Sequence, residues 1–234
     1  MAHNQEFFKA KRSFHGELYE VTVQVTGRLC IIIRSHRIIL KRNIKKIFNF
    51  VEGMNVTIGN EYLRIVIEKF KSVKSLGDKT INQLSEEEIH WTYNNESNSV
   101  AIIVRHLSGN MVSRWTDFLT SDGEKEYRNR DQEFIDDISS KSELISVWEK
   151  GWKVLIATLT SLSEQDLLKN IYIRGEGHLV IEAIERQMAH YAYHIGQIVY
   201  IGKQLKDSNW KSLSIPKGKS EEYLKEMLEK NQDK

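Results

Sequence analysis

The sequence predicts an all-α protein built on a four-helix bundle, and three observations predict it. Proline is nearly absent, with Pro216 the only one in 234 residues. The chain is rich in Leu, Ile, Glu and Lys, all tolerant of helix. After residue 54, four segments carry apolar residues at spacings of three and four. The first and third of these end alike: 80-TINQLSEEEI-89 and 158-TLTSLSEQDL-167 each place a serine in a capping box, Ser85 with Glu88 and Ser163 with Asp166. Two helical hairpins of similar design make a four-helix bundle.

Residues 1–53 stand apart. They hold ten Lys/Arg against four Asp/Glu, a net +6, whereas residues 54–234 carry −4. Such asymmetry marks a separate arm or tail. Residues 17-ELYEVTVQVTGRLCIIIRS-35 alternate like strands around a turn at Gly27, and 36-HRIILKRNIKKIFNF-50 reads as a basic, weakly amphipathic helix. The rest of the chain offers no strand partner, and a lone hairpin is marginal in water. Three readings compete: a docked arm, a basic surface for nucleic acid or anionic lipid, or a segment outside the working domain. We favour the third, with translation starting at Met54. The expected organisation is a basic extension over 1–53, a bundle over 54–222 and a charged tail over 223–234.

The four helices follow in order. The first spans about 58–82, with Tyr62, Val66, Phe70, Val73 and Gly77 on one side. The second follows Ser99 as N-cap and runs to about Thr120. The third follows Ser140, which forms a capping box with Glu143, and carries Leu144, Trp148, Trp152, Leu155, Leu159 and Leu162 as its apolar seam. The fourth covers about 178–205.

The fourth helix is unusual. At 100° per residue, Ala183, Gln187, His190, His194, Gln197 and Ile201 fall on the seam that a helix turns toward its bundle core. Ile181, Ile184, Met188, Tyr191, Ile195, Ile198 and Val199 flank that seam, so the histidines lie on the buried side. Residues four apart on a helix have Cβ atoms about 5–6 Å apart, and two imidazoles at that spacing can bind one metal. A hydrogen-bonded histidine pair is the alternative. The second helix repeats the pattern: His106, Asn110, Ser113 and Asp117 form a polar row beside Val100, Val104, Leu107, Met111, Trp115 and Phe118. Facing polar rows bring His106, His190 and His194 together. Buried unpaired polar groups cost a few kcal/mol each, and a divalent ion would satisfy all three. His178 with Glu182 has ligand spacing but falls near the exposed face, and His90 reads as a boundary or surface residue.

Several motifs, in order, carry a family resemblance. Residues 97-SNSVAIIVRHLSGNMVSRWTDFLTSDGEKEYRNRDQEF-134, 172-YIRGE-176, 185-ERQMAHYAYHIGQIVYIGK-203 and 210-WKSLSIPKGKSEE-222 together resemble a bacterial domain family of unknown function within the DinB/YfiT-like superfamily of metalloenzymes. The resemblance spans about 54–222 and leaves out residues 1–53. It implies an up-down-down-up four-helix bundle. It also implies a divalent metal, nickel or zinc, on one histidine of the second helix and an H-x3-H of the fourth, which map onto His106, His190 and His194. Some superfamily members resemble thiol transferases that use bacillithiol, mycothiol or glutathione, so a low-molecular-weight thiol is an expected cosubstrate.

Three protein ligands leave open positions, the pattern of a catalytic metal site. Such an ion acts as a Lewis acid or lowers the pKa of a bound water or thiol. Asn110, Gln187 and Gln197 are placed to orient imidazoles or solvent. Asp117 is a candidate base, with an ion pair to Arg114 or Arg186 as the competing reading; Arg114 is a second catalytic candidate. Arg128, Arg130 and Arg186 are candidates for binding substrate. In the charged loop 122–134, Arg128 and Arg130 either clamp a substrate carboxylate or pair with Asp131 and Glu133. Trp210 and Leu213 of the tail are a cap on the bundle end or a lid on the pocket.

Composition narrows the classes. Cys30 is the single cysteine, so there is no disulfide framework and no thiolate cage, which fits a reducing cytoplasm. No apolar run approaches the roughly 20 residues that span a bilayer, and 29-LCIII-33 is too short for a signal-peptide core. No G-x-S-x-G, P-loop, dinucleotide fingerprint or H-E-x-x-H is present, and an acidic main domain argues against nucleic acid. The expected protein is a cytoplasmic, metal-dependent transferase or hydrolase acting on a small molecule, compatible with a homodimer. The alternative is a non-catalytic metal-binding or stress-associated bundle that recruits a partner.

Overall fold

The computed structural model describes the backbone of residues 8–12, 19–25 and 29–35 and all of residues 57–232. The chain divides into two compact units, Met1–Thr57 and Ile58–Lys234.

In the first unit, β1 (Phe8–Arg12), β2 (Tyr19–Val25) and β3 (Leu29–Ser35) form an antiparallel sheet in the order β1-β2-β3. The register runs from Phe8 opposite Val23 to Arg12 opposite Tyr19, and from Tyr19 opposite Ser35 to Val25 opposite Leu29. The expected β2–β3 pairing is present. The expectation that it would find no further partner is not met, because Phe8–Arg12 adds a third strand. That five-residue run is too short to show a convincing alternation. The expected turn at Gly27 and the basic helix over 36–50 lie outside the described residues.

The second unit is mostly helical. It contains α1 (Ile58–Ile81), α2 (Val100–Trp115), α3 (Lys141–Ser161), α4 (Val180–Lys206) and α5 (Ser220–Lys230). Between α3 and α4 lies an antiparallel hairpin of β4 (Asn170–Ile173) and β5 (Glu176–Leu179). Among the described residues, no helix is long and apolar enough to cross a membrane.

The first four helices share one core, to which each contributes a fully buried aromatic ring: Phe70, Trp115, Trp152 and Tyr191. Phe70 lies 6.5 Å from Trp115 and 6.0 Å from Tyr191, and Trp152 lies 6.2 Å from Tyr191, ring centroid to centroid. Tilted and edge-on contacts at these distances suit the ring quadrupoles. Leu144, Trp148, Trp152, Leu155 and Leu159 of the expected α3 seam are all buried.

The caps explain where the helices begin. The Ser99 hydroxyl accepts from the Ile102 N–H (3.2 Å) and the Ser140 hydroxyl from the Glu143 N–H (3.1 Å). The capping box at Ser140 is only half formed, because Glu143 accepts from the Ser139 N–H and hydroxyl instead. Ser85 and Glu88 form a reciprocal box, and Asp166 accepts from both the N–H and the hydroxyl of Ser163. The two echoing segments therefore end in the same capped turn.

α2 is shorter than its polar row suggested. Thr116 adopts extended angles and Asp117 a positive φ of 48°, so the chain leaves the helix at Trp115. The loop from 116 to 140 then folds back on α2. The Ser113 hydroxyl donates to the Gly123 carbonyl (2.9 Å) and accepts from the Lys125 N–H (3.0 Å). The turn of the β4–β5 hairpin has positive φ at both Arg174 (56°) and Gly175 (76°), as a tight two-residue hairpin turn requires. The Asp122 carboxylate receives the N–H groups of both residues, which fastens the hairpin to the loop. Near the other end of α1, Lys211 and Gln83 exchange two hydrogen bonds, and Trp210 packs against Gly202 of α4.

Candidate metal centre

His106 occupies the middle of α2, and His190 and His194 occupy successive turns of α4. Their Nε2 atoms converge: His190 Nε2 lies 3.4 Å from that of His106 and 3.1 Å from that of His194. One nitrogen from each ring lies within 4.8 Å of the others. His106 is 5 % exposed, and the other two are half-buried.

The outer ring nitrogens of His106 and His194 are held. His106 Nδ1 lies 2.9 Å from Glu133 Oε2, and His194 Nδ1 lies 2.7 Å from Gln197 Oε1. A carboxylate only accepts, so Nδ1 of His106 carries the proton and its Nε2 presents a lone pair. The same logic applies to His194 against the Gln197 carbonyl. The single Nε2 proton that His190 can carry satisfies only one of the two lone pairs it faces. A cation shared among the three nitrogens satisfies them all, and the oriented imidazoles are the arrangement that metal-ligating histidines use. The donor set, three imidazole nitrogens, fits a divalent transition-metal ion.

Electrostatics favours the neutral ring at His190 and at His194. Burial, and then neighbouring His194, His106, Arg114 and Arg128, push the His190 pKa down to about 4. Burial also lowers that of His194, although the hydrogen bond to Gln197 opposes it. Burial alone would raise the Glu133 pKa, but the hydrogen bonds from Arg128 and His106 hold it below the ordinary carboxylate range.

Glu133 is placed by two devices. Arg128, whose side chain is 3 % exposed, grips it through two parallel bonds of 2.7 and 2.8 Å. Gly109 of α2 leaves room for it: a Cβ there would lie 2.7 Å from Glu133 Cδ. Phe134 then stacks against His106 at 5.0 Å.

A cavity of about 230 Å³ opens beside the histidines, lined by His106, His190, Asn110, Gln187 and five arginines. Asn110 Oδ1 accepts from the Tyr191 hydroxyl (2.9 Å), which accepts in turn from Trp115 Nε1 (3.0 Å). Gln187 is 2 % exposed, and its Oε1 has no hydrogen-bond partner among the described residues. Arg114, Arg128, Arg130 and Arg186 line this cavity as well, joined by Arg174 of the hairpin turn. Arg128 is committed to Glu133 and Glu124. Asp117 is exposed and does not line the cavity; Arg114 turns toward Glu124 instead, at 3.9 Å. Gln197 also borders a larger cleft of about 570 Å³ with Trp91, Tyr93 and Tyr200.

A family model described as "Protein of unknown function (DUF1572)" matches residues 57–219. The chain belongs to this family. The match holds all three histidines, Glu133 and the arginines, and it stops short of α5. No curated protein matches the chain.

Sequence reasoning overlooked Glu133 as a partner of His106 and overlooked Arg174 altogether. Glu133 is 27 residues from His106 in sequence, and no periodicity links a loop carboxylate to a helix. Arg174 had a faint signal in the Arg-Gly pair of 172-YIRGE-176, which marks a tight turn. His90 binds Asp136, which also receives the Ser99 hydroxyl, so it secures the start of α2.

Proposed function

We propose that this chain is a bacterial, cytoplasmic metalloprotein of the DinB/YfiT-like superfamily. Its first four helices form the up-down-down-up bundle of that superfamily, and His106, His190 and His194 hold one divalent ion, nickel or zinc. It acts as a metal-dependent transferase on a small molecule, with a low-molecular-weight thiol as cosubstrate. The observation that supports this reading is the convergence of three Nε2 atoms, with Glu133 holding the outer nitrogen of His106 and Gln197 that of His194.

The ion supplies Lewis acidity and lowers the pKa of a thiol or water that it binds. The residues around it do the rest. Glu133 and Gln197 fix the tautomers and ring planes of two ligands. Asn110, with its carbonyl oxygen engaged by Tyr191, offers its amide N–H groups to the cavity, and Gln187 offers an acceptor to an incoming donor. The chain needs no nucleophilic cysteine for thiol chemistry, because the thiol arrives with the cosubstrate. Asp117 is a poor base in this arrangement, since it stands in an exposed turn outside the cavity.

The test is a titration of the cobalt-substituted protein with low-molecular-weight thiols, followed by conjugation assays with several electrophiles. A thiol that changes the cobalt absorption, together with conjugation lost in His190→Ala, supports the transferase. A metal spectrum inert to every thiol supports the non-catalytic bundle instead.

A further inference from the structure

The arginines beside the histidines form a recognition surface of their own. Arg114 is 3 % exposed, yet its Nε and Nη1 atoms have no hydrogen-bond partner among the described residues. Its nearest carboxylate is Glu124, at 3.9 Å. A buried guanidinium with so little compensation is costly unless a counter-charge comes close. Arg130 and Arg186 are exposed at the cavity and make no ion pair among the described residues. Arg130 instead lies 5.1 Å over the Phe134 ring, which itself stacks on His106, so its charge is held beside a metal ligand. Arg128 and Arg174 are tied down by Glu124 and Glu133 and form the frame. Among the described residues no carboxylate lines the cavity, and the carboxylate of neighbouring Asp122 is occupied by backbone N–H groups.

Resting on the metal reading above, we propose that the substrate of this site is a small oxyanion-bearing molecule, whose phosphoryl or carboxylate group is held by Arg130 and Arg186 at the mouth, above the charge of Arg114. Guanidinium forks match both oxyanions in geometry and charge. The Asn110 amide adds a neutral donor. A cavity of about 230 Å³ takes one such group and its first substituents, which excludes a macromolecular ligand from its interior.

The test uses the full chain, treated with chelator, so that any oxyanion bound is bound by the protein's own residues. Inorganic phosphate and succinate are titrated by calorimetry at constant ionic strength into the wild type, Arg130→Gln, Arg186→Gln and the double variant. Both substitutions are exposed, and circular dichroism checks the fold. Saturable binding of one oxyanion per chain is expected, weakened about ten-fold or more by each single change and lost in the double variant. Preference for phosphate or for succinate names the group. Absence of saturable binding, or equal affinity in the double variant, overturns the proposal. Metal content, assayed separately on the same four proteins, distinguishes the two readings. An arginine-dependent oxyanion site in a chain that holds no metal defeats the metal reading alone. Normal metal content without oxyanion binding defeats this one alone.

Discussion

Glu133 Oε2 lies 2.9 Å from Nδ1 of His106, and Arg128 donates to both oxygens of the same carboxylate. This contact decides which nitrogen of His106 faces the other two histidines, and it ties the candidate metal centre to a loop rather than to the helices alone. Glu133→Gln keeps the shape and removes the charge. Metal affinity is expected to fall about 10- to 100-fold, as for other partners of metal-ligating histidines. Stability is expected to fall by about 3 kcal/mol, because buried Arg128 loses its main counter-charge. Competition with a chromophoric chelator and urea denaturation measure the two effects.

Gly109→Ala separates this account from helix propensity. Alanine in a helix interior is favoured over glycine by about 1 kcal/mol, so propensity alone predicts a more stable protein. A Cβ at 109 would press into the Glu133 carboxyl group. The variant is therefore expected to be less stable than the wild type and to bind metal more weakly.

Tyr191→Phe removes the hydroxyl that accepts from Trp115 and donates to Asn110. Two buried polar groups lose their partner, and the expected cost is about 1–3 kcal/mol, read by chemical denaturation. The freed Asn110 carbonyl should also alter the cavity, so a change in oxyanion affinity should accompany the loss.

The capped turn at Asp166 carries a pH signature. Hydrogen bonds, first from Lys169 and then from Ser163, lower the Asp166 pKa to about 2. A carboxylate whose folded pKa is depressed stabilises the fold above its unfolded pKa, about 3.9. That contribution fades as pH falls toward about 2. Asp166→Asn should therefore be less stable than the wild type by about 1 kcal/mol at pH 6, and the gap should narrow between pH 4 and pH 2. A gap independent of pH would contradict the assignment.

Much of this was legible in sequence where a period or a cap carried it. The α3 seam, the serine caps and the polar rows of α2 and α4 each follow from 3.6-residue geometry, and the rows alone pick out His106, His190 and His194. The polar row failed at its end: Asp117 continues the rhythm on paper, but the backbone turns away at Thr116. Contacts made by loops left no such trace. Glu133 reaches His106, and Arg174 on its two-residue turn reaches the cavity, through chain reversals that no local pattern encodes. The strands Phe8–Arg12 and Asn170–Ile173 are too short for alternation to stand out.

The central claim is that three histidines from two helices hold one divalent ion. Elemental analysis of the purified wild type beside His106→Ala, His190→Ala and His194→Ala tests it most directly. About one nickel or zinc ion per chain in the wild type, and a loss to background in each variant with the helical circular dichroism retained, is the predicted result. Metal undiminished in the variants, or absent from a wild type reconstituted with either ion, would contradict it.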